Sequence, residues 1–391
     1  MRLPLVVGVL AISLGVGLTA QAGASTRAGV SVEQRAASAE IREPAKALHG
    51  KQARQVRSYR TTTTIRYGPF TVPGSTVSEP GRLENVIVRE GGCVTQALPC
   101  IDRPMPKPCE DCYVTRIAPN LIDADTGETL NFHNGGMLHH VVNVNWSRPD
   151  VTCPPGRGPG VINWLGLLED GNDRFSAAGN ERTITRLPRA FGIPIRPEDE
   201  WGLIFDVMNM APQARDVAFE YTFTWTEKRL RPLTAVWLDI DNCGNSAIDV
   251  PVGYSDTHWD WQSTISGRIV GIGGHMHDGG ISVSAENVSR GTAICTSRAG
   301  YAPGSAFAPA GPGSGFDGLH PRRWWPMHRS DHPDVPLETY NGHIAGATGC
   351  MGAGHVSAGD TIRLHTQYNV ADEERGEHVM GIMVGYVDEQ E

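Results

Sequence analysis

The chain of 391 residues carries a formal net charge of −9, with 46 glycines, 27 prolines and eight cysteines. The charge is uneven: residues 25–66 hold nine basic and three acidic side chains, which leaves 24 − 40 = −16 from Tyr67 onward. A region this acidic, without a basic patch, excludes nucleic acid as an expected partner, because the phosphate backbone binds positive surfaces.

The first 24 residues predict a secretory signal peptide. Arg2 precedes a long apolar stretch that ends in small residues, with a cleavage site at Ala20-Gln21-Ala22. No later segment has the roughly 18 consecutive apolar residues that a membrane helix requires. We therefore expect a secreted, extracellular protein without a membrane span. Residues 25–66 predict a basic, Ala/Arg-rich lead segment without stable structure.

The rest of the chain predicts an all-β fold. Short runs of alternating apolar residues, such as Phe219 to Trp225, are bounded by Gly, Pro, Asn and Asp, which is typical of strands joined by turns. The length suits two domains. We predict two tandem jelly-roll (β-sandwich) domains over residues 67–230 and 231–391, separated at the polar run Lys228 to Pro232.

An even number of cysteines in an exported chain predicts disulfide bonds. Cys109 and Cys112 form a CxxC motif, but no second CxxC completes a zinc site, so a disulfide is the favoured interpretation. Cys295 and Cys350 both fall in the second half, where they could be bonded to each other. The pairing of the remaining cysteines is left open.

A metal centre is predicted around His275-Met276-His277, which follows a β-type run and stands between two glycine pairs. In a strand, residues i and i+2 project from the same face, so both imidazoles can bind one ion. The glycines leave space around the two rings. The alternative is a pair of histidines on an exposed strand face.

The first half has a second histidine cluster at His139 and His140. Adjacent residues of a strand point to opposite faces, so both can bind one ion only where the strand starts, bulges or twists. One buried and one exposed histidine is the alternative, and His133 could substitute for either. No role is assigned to the histidines of the irregular region after residue 318: His320, His328, His332 and His343.

The final predicted strand carries His378 and Met380 on one face, after an acidic turn from Ala371 to Glu377. A thioether beside imidazoles is a soft ligand set, which favours copper over zinc, magnesium or calcium. A methionine buried in the core of an apolar strand is the alternative interpretation of Met380.

Together, the His-His pair, the HxH motif and the late methionine resemble the copper type II, ascorbate-dependent monooxygenases, the peptidylglycine α-hydroxylating and dopamine β-monooxygenase family. The second half is similar to the plant stress-upregulated nodulin family in the segments GIGGHMHDGG, ICTSRAGY, GCMGAG and EHVMGIMVGY. The monooxygenase resemblance implies one copper in each jelly roll. His275, His277 and Met380 would hold the copper that activates dioxygen.

By the same resemblance, His139 and His140 would hold a second copper that stores an electron. That site has a third histidine on a later strand of the first domain. The corresponding run here, Leu203 to Met210, has none, and Met208 is the predicted substitute.

The sequence thus predicts an exported copper monooxygenase that uses one or two copper ions, dioxygen and ascorbate or a similar reductant on an unknown organic or peptide substrate. One alternative is a non-catalytic extracellular copper-binding or stress-related protein, and another is a structural double jelly roll with a decayed site. A serine hydrolase or HExxH zinc protease is disfavoured, because the sequence has neither a GxSxG elbow nor an HExxH motif.

Overall fold

The computed structural model of the chain describes residues 60–77, 79–91, 99–131, 134–153, 171–241, 243, 246–301, 343–371 and 376–390. All of them belong to one unit, Ser31–Glu391. The predicted signal peptide, the lead segment before Arg60, His133, His320, His328 and His332 lie outside the described residues. Within the described part of the chain, no helix has the length and apolar character needed to cross a bilayer.

Two sheets are built from the first eleven strands. One has the order β1-β10-β4-β8-β11, with β7 beside β4, and the other has the order β3-β2-β9-β5-β6. The strand bounds are β1 Thr61–Val72, β2 Gly81–Arg89, β3 Cys100–Asp102, β4 Cys112–Asp123, β5 Gly136–Pro149, β6 Asn172–Gly179, β7 Thr185–Arg186, β8 Phe191–Ile195, β9 Trp201–Asn209, β10 Arg215–Thr226 and β11 Arg231–Pro232.

Two further sheets are built from the remaining strands. One has the order β12-β22-β15-β19, with β13 beside β22 and β20 beside β15, and the other has the order β14-β21-β16-β17-β18. The strand bounds are β12 Thr234–Asp239, β13 Ala247–Ile248, β14 Gly253–Gln262, β15 Gly267–Met276, β16 Gly280–Asn287, β17 Thr292–Tyr301, β18 Ile344–Ala347, β19 Gly349–Met351, β20 His355–Val356, β21 Thr361–Val370 and β22 Val379–Asp388. A 3-10 turn, Val288–Arg290, joins β16 to β17.

The all-β prediction is confirmed. The strands could be predicted from the sequence because apolar and polar residues alternate along them. On β10, Phe219, Tyr221 and Phe223 are fully buried, with intermediate exposure at the positions between them. Buried apolar side chains from both halves of the chain form one core cluster. The jelly-roll connectivity and the division into two domains remain predictions.

The predicted start of structure at Tyr67 was wrong, because β1 begins at Thr61 inside the segment expected to lack order. Four threonines and an arginine made this run look like a continuation of the polar lead segment. They nevertheless alternate: Thr63 and Ile65 are buried, and Arg66 forms an ion pair with Glu220 on β10. β-branched threonine suits an outer strand of this kind.

Strand β6 joins the two halves of the fold. It lies at the edge of its own sheet and contacts β12, β15 and β22 of the second half. The Tyr386 hydroxyl on β22 donates to the Phe175 carbonyl on β6 over 3.0 Å. Among the described strands, no sheet combines β1–β11 with β12–β22, so side chains rather than backbone ladders hold the halves together.

Three disulfide bonds connect described residues, as the even cysteine count predicted. Cys109–Cys112 and Cys295–Cys350 match the expected pairs, with Cα separations of 6.1 and 5.8 Å. Cys153–Cys243, with a Cα separation of 5.6 Å, links the two halves and could not be deduced from the sequence.

Candidate metal centre

His139 and His140 lie on β5, where the strand is irregular. The register between β5 and β9 shifts between Leu138 and His140. Such a bulge allows neighbouring residues to approach one site instead of opposite faces of the sheet. Two adjacent histidines of a strand can bind one ion only where the strand is irregular. β5 has such an irregularity at His139 and His140.

Asp206 on β9 is the residue that faces this pair. Its two carboxylate oxygens lie 3.5 Å from His139 Nδ1 and 3.6 Å from His140 Nε2. Burial raises the pKa of Asp206, but His140, His139 and a backbone N–H lower it to a net value below the ordinary one. Met208 lies further along β9, opposite Met137 and on the same face as Asp206.

His275 and His277 lie at the end of β15. His275 is buried and pairs with Ile382 on β22, and His277 follows the last residue of the strand. Met380 lies two residues before Ile382, so it shares the face of β22 that lies beside His275. The Tyr368 hydroxyl accepts the His277 backbone N–H at 2.9 Å and donates to the Met380 carbonyl, which ties these two segments together.

The two histidine motifs meet in one cluster. Ligand atoms of His139, His140 and His277 all lie within 4.8 Å of one another. The ring centroids of His139 and His277 are 4.2 Å apart, and the His275 ring is 5.5 Å from that of His277. Side chains that are 138 residues apart in the sequence (277 − 139) therefore surround one point between the halves.

The hydrogen bonds of the HxH pair leave one nitrogen of each ring free. His277 Nδ1 lies 3.1 Å from the His378 carbonyl, and His275 Nδ1 lies 3.0 Å from Glu181 Oε1. A carbonyl oxygen and an oxygen of an ionised carboxylate can act only as acceptors, so each Nδ1 must carry the hydrogen. Both Nε2 atoms are buried and have no hydrogen-bond partner, as has His140 Nδ1, whereas His139 Nδ1 lies 3.5 Å from Asp206 Oδ2.

The environment keeps the imidazoles of His140 and His277 neutral. Burial is the main cause that lowers the pKa of His140 to about 4; Asp206 opposes it, and His139 and His275 act in the same direction as burial. Burial and the three neighbouring histidines lower the pKa of His277 well below its usual value. Neutral imidazole is the form that ligates a metal. The cluster of His139, His140 and His277, with buried and unpartnered His140 Nδ1 and His277 Nε2, therefore fits a metal ion, and imidazole suits copper among others.

Sequence reasoning missed Glu181, which follows β6 and belongs to the first half. Its side chain is 2% exposed and accepts hydrogen bonds from the Gly179 N–H at 2.8 Å and the Thr183 hydroxyl at 3.2 Å, besides His275. Burial raises its pKa, but His275 and the backbone N–H groups lower it to a net value below the ordinary one. Nothing in the local sequence signals a contact with a histidine 94 residues away.

Gly179 allows this close approach. It pairs with His140 across β5 and β6, and a Cβ at this position would overlap the His275 ring and lie 2.8 Å from the His139 carbonyl. The absence of a side chain at Gly179 therefore lets the backbone of β6 come this close to His275 and His139. Outside the cluster, His343 bonds Asp278, whose other oxygen accepts the Ile344 N–H at 2.8 Å.

Comparisons with known proteins also indicate copper as the metal. No protein-family model matches the chain. It is 24% identical over 356 residues to "Probable copper-dependent oxygenase M1" of Phoma sp., with 86% of this chain and 75% of the relative covered. It is 24% identical over 285 residues to "Probable copper-dependent oxygenase clz3" of Cochliobolus lunatus, with 68% and 76% covered. The chain is similar to copper-dependent oxygenases.

Two solved structures show weaker similarity than these relatives, which are named probable copper-dependent oxygenases. PNGF-II is 11% identical with a TM-score of 0.31, and the match covers 81% of this chain and 65% of that chain, less than two thirds of it. The T=1 Penaeus vannamei nodavirus structure is 9% identical with a TM-score of 0.18, over 83% of this chain and 99% of that chain. The copper assignment therefore comes from the curated relatives and from the histidine cluster.

Proposed function

We propose that the chain is an exported copper-dependent monooxygenase of the ascorbate-dependent type. The main support for this proposal is that ligand atoms of His139, His140 and His277 lie within 4.8 Å of one another. Buried ring nitrogens in this cluster have no hydrogen-bond partner. The named copper-dependent oxygenases among its relatives support copper as the metal. The disulfide bonds support an oxidising, extracellular location.

We assign His139, His140 and His277, whose ligand atoms converge, together with His275, whose ring lies 5.5 Å from that of His277, as the copper ligands. Met380 lies on the face of β22 beside His275. Bound copper would supply one-electron chemistry with dioxygen. In the overall reaction, one oxygen atom enters a substrate C–H bond as a hydroxyl group. The other leaves as water, with two electrons and two protons from ascorbate or a similar reductant.

The chain's own residues prepare this centre. Burial keeps His140 neutral, so its lone pair is available near neutral pH. Asp206 provides a negative charge beside His139 and His140, which balances part of the positive charge of a bound cation. The His378 carbonyl accepts the Nδ1 hydrogen of His277, so the buried and unpartnered Nε2 of His277 keeps its lone pair.

The burial of His140 and His275, each 7% exposed, favours a second candidate, a copper-binding protein without turnover. An enclosed centre leaves little room for an organic substrate. The two candidates share the ligands and differ in whether reductant and dioxygen are consumed.

The test measures copper binding by competition with a chromophoric chelator, and oxygen uptake with ascorbate after removal of free copper. The wild type should bind copper and consume oxygen, and His140→Ala should lose both. His258→Ala is the matched control, because His258 is an exposed histidine on β14 whose ring lies 5.8 Å from that of His365. Copper binding without oxygen uptake would favour the copper-binding protein, and no binding would overturn both candidates.

A further inference from the structure

Glu181 brings a carboxylate from the first half of the chain to a histidine of the second half. One oxygen, Oε1, lies 3.0 Å from His275 Nδ1 and also accepts from the Gly179 N–H and the Thr183 hydroxyl. Those two donors hold the carboxylate in place before any metal is present. The direction of the His275 ring is therefore set by a residue outside its own sheet.

This contact determines which nitrogen of His275 is available. Because the ionised carboxylate can only accept, Nδ1 carries the hydrogen and Nε2 keeps its lone pair. Nε2 is buried and unpartnered. A free histidine side chain in water prefers the opposite tautomer, with the hydrogen on Nε2, which could not ligate through that atom.

The surrounding backbone leaves the ring little freedom. Gly179 lies so close that an added Cβ would overlap the His275 ring and come within 2.7 Å of Glu181 Oε2. Arg182 donates to the Gly179 carbonyl at 3.3 Å and to the Leu130 carbonyl at 2.7 Å, which fixes the turn that carries Glu181. The carboxylate, the turn and the ring form one packed unit across the two halves.

We propose that Glu181 is a positioning residue that fixes the tautomer and direction of His275 for copper ligation, so that the first half of the chain completes the ligand set of the second. The inference rests on the proposed function in that it takes copper as the ligand. A carboxylate behind a metal-ligating histidine holds its tautomer and raises its basicity, and loss of such a partner weakens metal binding by about 10- to 100-fold.

The first readout needs no metal. Long-range proton–nitrogen NMR spectra of the 15N-histidine-labelled protein distinguish the two tautomers of His275. The wild type and Glu181→Gln should show the hydrogen on Nδ1, because an amide oxygen can still accept there, and Glu181→Ala should shift to Nε2–H. Retention of the Nδ1–H tautomer in Glu181→Ala would overturn the inference.

The second readout is copper affinity together with the electron paramagnetic resonance spectrum of the cupric protein. Glu181→Ala should bind copper about 10- to 100-fold more weakly, with changed nitrogen superhyperfine structure, and Glu181→Gln should fall between it and the wild type. Asp239→Asn is the matched control, since Asp239 is a fully buried carboxylate that bonds Trp237 and Asp241 instead of a histidine. Its spectrum should equal that of the wild type.

The outcomes separate this inference from the proposed function. Unchanged affinity and spectrum in Glu181→Ala, with copper bound, would overturn the positioning role and leave the copper centre intact. A wild type that binds no copper would overturn the proposed function and the metal part of this inference, whereas the tautomer result on the metal-free protein would stand. If Glu181→Ala fails to fold, the tautomer of His275 in the wild type decides: a hydrogen on Nε2 instead of Nδ1 overturns the role.

Discussion

The His277 ring of the second half lies 4.2 Å, centroid to centroid, from the His139 ring of the first. If these rings share a copper, removal of either must remove the same ion. We expect one tightly bound copper per chain, lost in His139→Ala and equally in His277→Ala. Metal analysis after dialysis of the copper-loaded protein measures this.

Two coppers per chain, one lost only in His139→Ala and the other only in His277→Ala, would contradict the shared centre. That result would support the two separate sites predicted from the family resemblance, with Met208 and Met380 as the methionine ligands. The His258→Ala variant again controls for copper held by exposed histidines.

Substitution of Gly179 by alanine should disturb both stability and the metal centre. The new methyl group would overlap the His275 ring, and overpacking of this kind typically costs about 1 to 3 kcal/mol of unfolding free energy. We expect weaker copper binding in the same variant, because His275 must move. Denaturant unfolding and copper titration measure the two effects.

Gly346 provides the control for this substitution. It also lies in a strand, but an added Cβ would meet nothing within 4 Å. Gly346→Ala should leave the unfolding free energy within about 0.5 kcal/mol of the wild type. Equal effects at both glycines would contradict the close approach described at Gly179.

Much of the fold could be predicted because apolar residues recur regularly along the strands. β10 and β22 were readable because their apolar residues recur with a period of two or run without a break. The HxH spacing likewise put two imidazoles near each other from local geometry alone. β1 was missed because its polar threonines hide an alternation that only pairing with β10 makes evident.

The composition of the site was less predictable, because it depends on contacts between distant strands. Glu181 and Asp206 are single acidic residues without a motif, and their partners lie on other elements. The union of the two histidine motifs in one cluster depends on how β6 packs against β15 and β22. No local pattern in the chain encodes that packing.

The Cys153–Cys243 disulfide should support the metal centre as well as stability. It closes a sequence separation of 90 residues, for which the chain-entropy relation gives about 4 to 5 kcal/mol of unfolding free energy. We expect the double alanine variant to lose about 2 to 5 kcal/mol and to bind copper more weakly, because the bond links the halves that supply the ligands. Thermal unfolding and copper competition measure this.

The Cys295–Cys350 disulfide is the matched control, since it closes 55 residues within the second half. Its double alanine variant should lose similar stability. At temperatures where it is still folded, it should bind copper with wild-type affinity. Equal weakening of copper binding in both variants would contradict a specific role for the link between the halves.

Asp173 on β6 should make stability depend on pH. Burial, with the neighbouring Asp150, raises the pKa of Asp173 from 3.8 to about 7 in the folded protein. Between these values the folded protein retains a proton that the unfolded chain has released, so stability falls as pH rises from about 4 to about 7.

Asp173→Asn removes this titration. The variant should gain stability relative to the wild type across the same pH range and keep a constant difference above it. Because residue Asp173 has intermediate solvent exposure, we expect a gain of roughly 1 to 3 kcal/mol. Urea unfolding of the metal-free protein at several pH values measures it, and a difference independent of pH would contradict the assignment.

Within the described strands, each sheet draws on only one half of the chain, yet the histidine cluster draws on both. A chain in which only one half has folded holds an incomplete ligand set. Copper uptake would then come last in maturation, after the strands have paired and the cysteines have been oxidised. An unfinished chain would carry no redox-active ion to damage itself or its surroundings, and bound copper would mark the molecules that have completed assembly.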